Sequence, residues 1–293
     1  MRQLVQLKGV ATTGASILLA AVAQPGIVGE LAGCRRAVLG ALGEALHHDL
    51  DEAGGRAENL TRIWLNPEVK AVIAGTGSNA TAEAIDLTAH AKKAGATGAL
   101  VVNPYYNRPT QEGLYRHFRA VAEAVDIPIL VYNIASRTAV NVETDTMVRL
   151  AKDCPNIVGV KEASGSLDQM TQVILACGPD FTVLSGDDNI TLPLMSVGGR
   201  GVISVIANIV PRETAEMTHA ALAGDWKLAR ELHLKLFPLS RAMFIETNPI
   251  PVKEAMGMMG MLEPEFRLPM CPMGAANRER LRAILVQHGL IKG

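Results

Sequence analysis

Two apolar runs in the middle of this 293-residue chain each end on a residue able to do chemistry. Residues 127–131 read IPILV and lead into Tyr132, and residues 157–160 read IVGV and lead into Lys161. Runs this short, rich in Ile, Val and Leu and flanked by Pro, read as strands buried on both faces of a parallel sheet. The carboxyl end of such a strand is where α/β proteins place their reactive groups. An amine and a phenol delivered to one rim point to imine chemistry on a carbonyl substrate. Burial would lower the amine below its ordinary pKa of ~10.4, leaving it neutral enough to attack a ketone. A phenol near ~10 moves protons poorly without a hydrogen-bonded relay, so Tyr132 needs partners. The plain rival for Lys161 is a lysine leaving a strand for solvent, against which the apolar run before it weighs.

The elements that position these groups follow a regular beat from residue 70 onward. Apolar runs recur at 71–74, 99–102, 127–131, 157–160, 182–184 and 202–205. Amphipathic stretches lie between most of them. Residues 81–94 carry Ala84, Ile85, Leu87, Thr88 and Ala91 on one side, with Glu83, Asp86, Lys92 and Lys93 elsewhere. Six strand–helix repeats predict right-handed βαβ units in a closed α/β fold, the (β/α)8 TIM barrel. Closure needs two more strands from residues 1–70, of which 4–10 is one candidate. After residue 205 the pattern is helical to 291, more than two barrel helices require. The expected organisation is therefore a barrel over 1–224 and a carboxyl-terminal helical appendage over 225–293.

Every predicted strand end is polar or glycine-rich, as a catalytic rim would be. The ends are Gly75–Asn79, Asn103–Asn107, Tyr132–Asn133 with Arg137 beyond, Lys161-Glu162, Ser185–Asp188, and Ser204 with Asn208. Arg137 is able to grip a carboxylate bidentately, with a surface ion pair as its rival. Gly186 lets a ligand approach the backbone. The Gly75–Asn79 turn lacks the GK[ST] of a phosphate cradle and reads as a strand-to-helix turn with a cap.

Composition narrows the class. A net charge of −1 with 48% hydrophobic residues gives no footing for nucleic acid. Cys34, Cys154, Cys177 and Cys271 form no CxxC pair, so a disulfide framework or zinc site is not expected and reduced, cytoplasmic thiols are. His47-His48 with Asp49 reads as a solvated turn, because adjacent histidines diverge. Arg2 and Lys8 precede the apolar run 15–22, and Ala21-Val22-Ala23 has an A-x-A look. That stretch is read instead as a strand followed by a small-residue helix. No run approaches the ~20 apolar residues that span a bilayer.

The motifs IAGTGSNATAEA, NPYYNRPTQEGLYRHF, YNIASRT, GVKEASG, LSGDD, GGRGVISV and ETNPIPVKEA cover residues 71–255 almost continuously. In these the chain resembles the dihydrodipicolinate synthases, pyruvate-dependent class I aldolases of the N-acetylneuraminate lyase superfamily. The resemblance implies a (β/α)8 barrel with a helical tail, usually a homotetramer, with no cofactor beyond a covalent imine between Lys161 and pyruvate. It implies condensation of pyruvate with aspartate semialdehyde, on the route to diaminopimelate and lysine. By the same resemblance Tyr132 moves protons through a relay that ends on Tyr106 of a neighbouring subunit. Arg137 holds the aldehyde substrate's carboxylate, Gly186 and Ile203 line the pyruvate pocket through main-chain groups, and Tyr105 packs. Asn79, Glu83 and Tyr105 match positions that bind feedback lysine in some members.

Residues 1–70 depart from the family pattern. The family's Gly-Thr-Thr-Gly-Glu loop, source of the relay threonine, belongs at the end of strand two, where residues 41–50 read ALGEALHHDL. Thr12 and Thr13, in ATTGA, lie far too early to replace it. The segment is either rewritten or the product of a shifted reading frame, alternatives that an intact mass separates. Ala135 and Asn103 stand where the family has proline and usually threonine. Three readings compete: the pyruvate–aspartate semialdehyde condensing enzyme, a sister aldolase acting on a sugar acid, and a pyruvate-binding homologue impaired by the missing loop. Arg137 and the PYYN turn favour the first.

Overall fold

Strand-forming runs and helix caps alternate along the chain, and the alternation lays down a parallel sheet. The computed structural model describes residues 72–293 and the backbone of the short strand β1 (Ile17–Leu18). The expected strand at 4–10, Thr12, Thr13 and the His47-His48-Asp49 turn lie outside the described residues, and of the 15–22 run only the backbone of β1 lies within them. The sheet runs β1, β2 (Ile73–Gly75), β3 (Gly98–Val102), β4 (Ile129–Asn133), β5 (Ile157–Glu162), β6 (Thr182–Ser185), β7 (Gly201–Val202), in sequence order. β2 to β7 pair in parallel, each with the next, while β1 pairs antiparallel with β2.

The crossovers are helical. α1 (Thr81–Lys93) follows β2, α2 (Gln111–Ala124) follows β3, and α3 (Ala135–Thr138) with α4 (Thr144–Asp153) follow β4. α5 (Leu167–Cys177) follows β5 and α6 (Thr191–Ser196) follows β6. Local signals start them. Thr110 caps α2 by accepting from the Gly113 N–H at 3.3 Å, and Ser166 caps α5 by accepting from Gln169 N–H at 3.2 Å. The apolar spacing Leu114, Phe118, Val121, Ala122 then turns one face of α2 onto the sheet.

Period-two alternation sorts each strand's side chains between two cores. Ala99, Val101, Ile129, Val131, Ile157, Val160 and Val183 face the helices with Phe118, Met147, Leu150 and Met170. Ile73, Leu100, Leu130, Leu184 and Ile203 face the other way, forming the interior that Tyr132 joins. Truncating a fully buried leucine such as Leu184 to alanine costs about 2–5 kcal/mol in such cores.

β4 begins later than the hydrophobic run suggests. Pro128 has no N–H to give a ladder, and the Ile127 N–H turns back to Val125 O at 2.9 Å. β4 and β5 both run past their apolar stretches, so Tyr132 and Lys161 sit within the ladder rather than after it.

Proximity along the backbone separates a second unit, from Ser204 onward. It contains α7 (Pro211–Leu222), α8 (Trp226–Ala242), α9 (Ile250–Met258) and α10 (Ala275–Gln287). Leu232, Leu236, Leu239, Met243, Ile250, Leu281 and Leu285 make its core. Buried Glu254 on α9 pairs with Arg278 on α10 at 3.1 Å. The expected barrel–appendage boundary at 224/225 falls in the turn between α7 and α8. Among the described residues no helix is long and apolar enough to cross a membrane.

Candidate active site

Tyr132 and Lys161 are direct partners in the β4–β5 register. In parallel strands such partners project to the same face, here the interior one. The Lys161 ammonium nitrogen, Nζ, lies over the Tyr132 ring, 4.1 Å from its centroid. Lys161 is only 6% exposed, and burial pulls its pKa down to about 8, with Asp187 and Asp188 opposing and Arg137 adding to the fall. Near pH 8 about half of such an amine is neutral, against under ~1% for a lysine at ~10.4. Burial pushes the Tyr132 phenol up to about 12, offset by the positive charge of Arg137. A phenol raised this far keeps its proton near neutral pH.

Gly186 follows β6 beside the lysine stem. A Cβ on it would sit only 2.5 Å from the Ala163 Cβ and 3.2 Å from Lys161 Cε, so a side chain there would collide with Ala163 and crowd the lysine. The turn that carries it is pinned. Its N–H bonds Glu162 O at 2.8 Å, Ser185 Oγ donates to Asp187 O at 2.7 Å, and Thr191 Oγ1 donates to the same carbonyl at 3.0 Å. Asp187 is half-buried beside the lysine, and burial raises its carboxyl while Lys161 pulls it back down. Ile203 is buried in the interior cluster, its N–H bonded to Ser185 O at 2.9 Å.

Arg137 stands exposed on α3, within electrostatic reach of Tyr132, Lys161 and Asp187. Asn103, the departure in the PYYN turn, anchors this segment. Its Nδ2 donates to Thr138 Oγ1 at 3.0 Å and to Val140 O, and its Oδ1 accepts from Ile134 N–H at 3.3 Å. A longer side chain than threonine's spans from β3 to both sides of Arg137. Ala135, the other departure, opens α3.

The remaining predicted residues follow β2 and β3: Asn79, Tyr105 and Tyr106 on loops and Glu83 in the first turn of α1. Tyr106 is 89% exposed with a left-handed backbone, φ 70°. Tyr105 is also exposed. Asn107 Nδ2 donates to Asn79 O at 2.9 Å, tying the two loops together. Glu83 accepts from Ser78 Oγ. Among the described residues no group of three or more His, Cys, Asp or Glu side chains could hold a metal ion.

Asn133 and Glu162, expected with the other polar strand ends on a catalytic rim, instead face outward from Tyr132 and Lys161, into a buried polar network with Asn141 and Gln169. The signal was present: two polar residues directly after two rim residues, in strands whose other outward positions are apolar.

The model of the dihydrodipicolinate synthetase family matches residues 37–288. The 4-hydroxy-tetrahydrodipicolinate synthase of Nitratidesulfovibrio vulgaris (strain DP4) is 56% identical over 220 residues, 75% of this chain and 75% of its own. The crystal structure of dihydrodipicolinate synthase from Aquifex aeolicus superposes with a TM-score of 0.74 at 55% identity, covering 75% of this chain and 76% of that one. The enzyme from Cyanidioschyzon merolae, solved with lysine bound, gives 0.73 at 42% identity, covering 75% and 74%. The parallel strands and their outer helices belong to a (β/α)8 barrel with carboxyl-terminal helices. With a family model matched over most of its length, the chain belongs to the dihydrodipicolinate synthetase family.

Proposed function

We propose that this chain is a class I, Schiff-base lyase that condenses pyruvate with L-aspartate 4-semialdehyde to 4-hydroxy-tetrahydrodipicolinate, in lysine and diaminopimelate biosynthesis. The single observation that carries the reading is a buried amine lowered to about 8, held 4.1 Å over a phenol ring at the rim of a parallel sheet. Neutral Lys161 attacks pyruvate's keto carbon, water leaves, and the protonated imine forms. Loss of a proton from the pyruvate methyl gives the enamine, whose carbon attacks the aldehyde. The substrate's own amine then displaces lysine and closes the ring.

Each step moves a proton, and the Tyr132 hydroxyl is the conduit beside the reacting nitrogen. The arginine on α3 offers a two-pronged grip for the aldehyde substrate's carboxylate. Gly186 and Ile203 line the keto-acid pocket, the glycine by leaving space against Lys161 Cε. Tyr106, exposed on a strained loop, completes the proton path of a neighbouring copy in a homotetramer. The imine needs no cofactor, since the lysine is itself the electrophile's anchor. Residues 1–224 form the barrel, residues 225–293 the appendage, and the enzyme works in the cytoplasm. Asn79, Glu83 and Tyr105 form a feedback site for lysine, a reading supported by the Asn79–Asn107 bridge between their loops and by the lysine-bound relative.

Steady-state assay tests the proposal. Pyruvate with aspartate semialdehyde should turn over, and N-acetylneuraminate should not be cleaved. The reverse pattern assigns a sugar-acid aldolase and overturns the reading.

A further inference from the structure

One residue beyond the amine–phenol pair, the β4–β5 register sets a second pair, Asn133 opposite Glu162, on the outward face. Both are fully buried. Asn133 Nδ2 donates to Glu162 Oε1 and Oε2 at 3.2 and 3.1 Å. The same carboxyl accepts from Gln169 Nε2 at 3.1 Å and from Ser164 N–H at 2.8 Å. Asn133 Oδ1 accepts from Val142 N–H at 3.0 Å, and its amide also donates to Asn141 Oδ1 at 2.8 Å. β4, the turn after Lys161 and α5 thus meet at one carboxyl, and the segment after Arg137 joins them through Asn133.

Three donors converge on Glu162, a site that suits an acceptor-only group. A glutamine would turn an N–H toward one of them. Among the described residues none of the ion pairs includes this carboxyl, and burying one among neutral donors is expensive. An apolar pair of equal volume would fill the space more cheaply, so stability alone gives no reason for it. Register does. The β4–β5 pairing carries an irregularity between Ile129 and Leu130, where Ile157 pairs with the first and Gly159 with the second. A bulge resets the phase of every later residue, and a one-residue slip would turn Tyr132 and Lys161 to different faces.

We propose that Glu162, through Asn133, is a positioning residue for the reaction: this outward carboxyl–amide clamp locks β4 and β5 in the register that stacks Lys161 on Tyr132. The inference rests on Lys161 being the imine-forming amine. Three full-length proteins test it: wild type, E162Q, and the exchange variant N133D/E162Q, which returns a carboxyl–amide pair with the roles reversed. Two readouts are taken per folded molecule: the rate of borohydride-trapped pyruvate adduct at Lys161, and the pH midpoint for acetylation of Lys161 by acetic anhydride. E162Q should trap roughly 10–100-fold more slowly, as a misplaced amine does. Its acetylation midpoint should move up toward the ordinary ~10.4. The exchange variant should regain most of both.

Folded E162Q that loses thermal stability yet traps and acetylates like wild type overturns the clamp. If E162Q does not fold, the exchange variant decides, and a folded exchange variant with a wild-type fold but slow trapping overturns it too. Wild type that gives no adduct refutes the imine reading instead, and the acetylation midpoints still judge the clamp.

Discussion

Tyr132 and Tyr106 are both phenols at the rim of the sheet, and they occupy opposite surroundings. Tyr132 lies inside the β4 ladder, half-buried against Lys161, where loss of solvent holds its proton on. Tyr106 lies past β3 on a loop, 89% exposed, in a left-handed conformation that costs a tyrosine on the order of 1–2 kcal/mol. The first phenol is fixed by its own strand's ladder, and the second is held outward at a cost. The proposed roles, proton transfer within one barrel for Tyr132 and across to a neighbouring copy for Tyr106, follow that contrast.

The largest test of this contrast is Tyr132→Phe. Removing the hydroxyl while keeping the ring over Lys161 should lower kcat by about 10²–10⁴. The pyruvate adduct should still form, read by borohydride trapping. Unchanged kcat would place the proton conduit elsewhere. Tyr106→Phe should lower kcat less, by about tenfold to 10², and a mixing experiment sharpens it. Hybrid oligomers of Tyr106→Phe with Lys161→Ala chains should be more active than either parent, because one barrel keeps its lysine and borrows a tyrosine. No gain on verified subunit exchange would confine Tyr106 to its own barrel.

Arg137→Ala should raise KM for aspartate semialdehyde about 10–100-fold, the loss of a charge-assisted bond of roughly 1.5–3 kcal/mol. Adduct formation with pyruvate should hardly change, and an equal loss in both would make Arg137 part of the pyruvate site. The smallest effect is on stability. Lys161 titrates near about 8 in the fold and near ~10.4 unfolded. Between those values the unfolded chain holds more protons, so this group makes stability rise with pH there. Below about pH 8 its full penalty is present. Lys161→Met should therefore raise the thermal midpoint by a few degrees at pH 7, with the gain shrinking toward pH 10. A gain independent of pH would assign it to packing alone.

Much of this site was legible in the sequence because it obeys period two. ILVYN alternates between cores throughout and IVGVKE does so from Gly159 on, and the chemistry enters at the last inward position of each. The starts of α2 and α5 rest on the Thr110 and Ser166 cap bonds, which the structure supplies. The β-bulge near Val158 was not legible, since nothing in IVGV marks a skipped pairing. The glycine beside it answers to a different neighbour, as a Cβ on Gly159 would sit 2.2 Å from Thr182 O. The exposed, positive-φ backbone of Tyr106 was equally invisible, because NPYYN has no glycine to announce it. Asn103 read as a departure from threonine, and its anchoring of Thr138 and Val140 emerged only from tertiary contacts. The same holds for Glu162, whose donors come from Asn133, Ser164 and Gln169, spread along the chain.

The most direct measurement is peptide-resolved mass analysis after treating the protein with pyruvate and borohydride across pH 6 to 10. The account predicts one reduced-pyruvate adduct per chain, on Lys161, with a trapping rate that rises through about pH 8 and levels off above it. An adduct on another lysine, or none, would contradict it, as would a rate that keeps climbing to pH 10 like that of an ordinary surface amine.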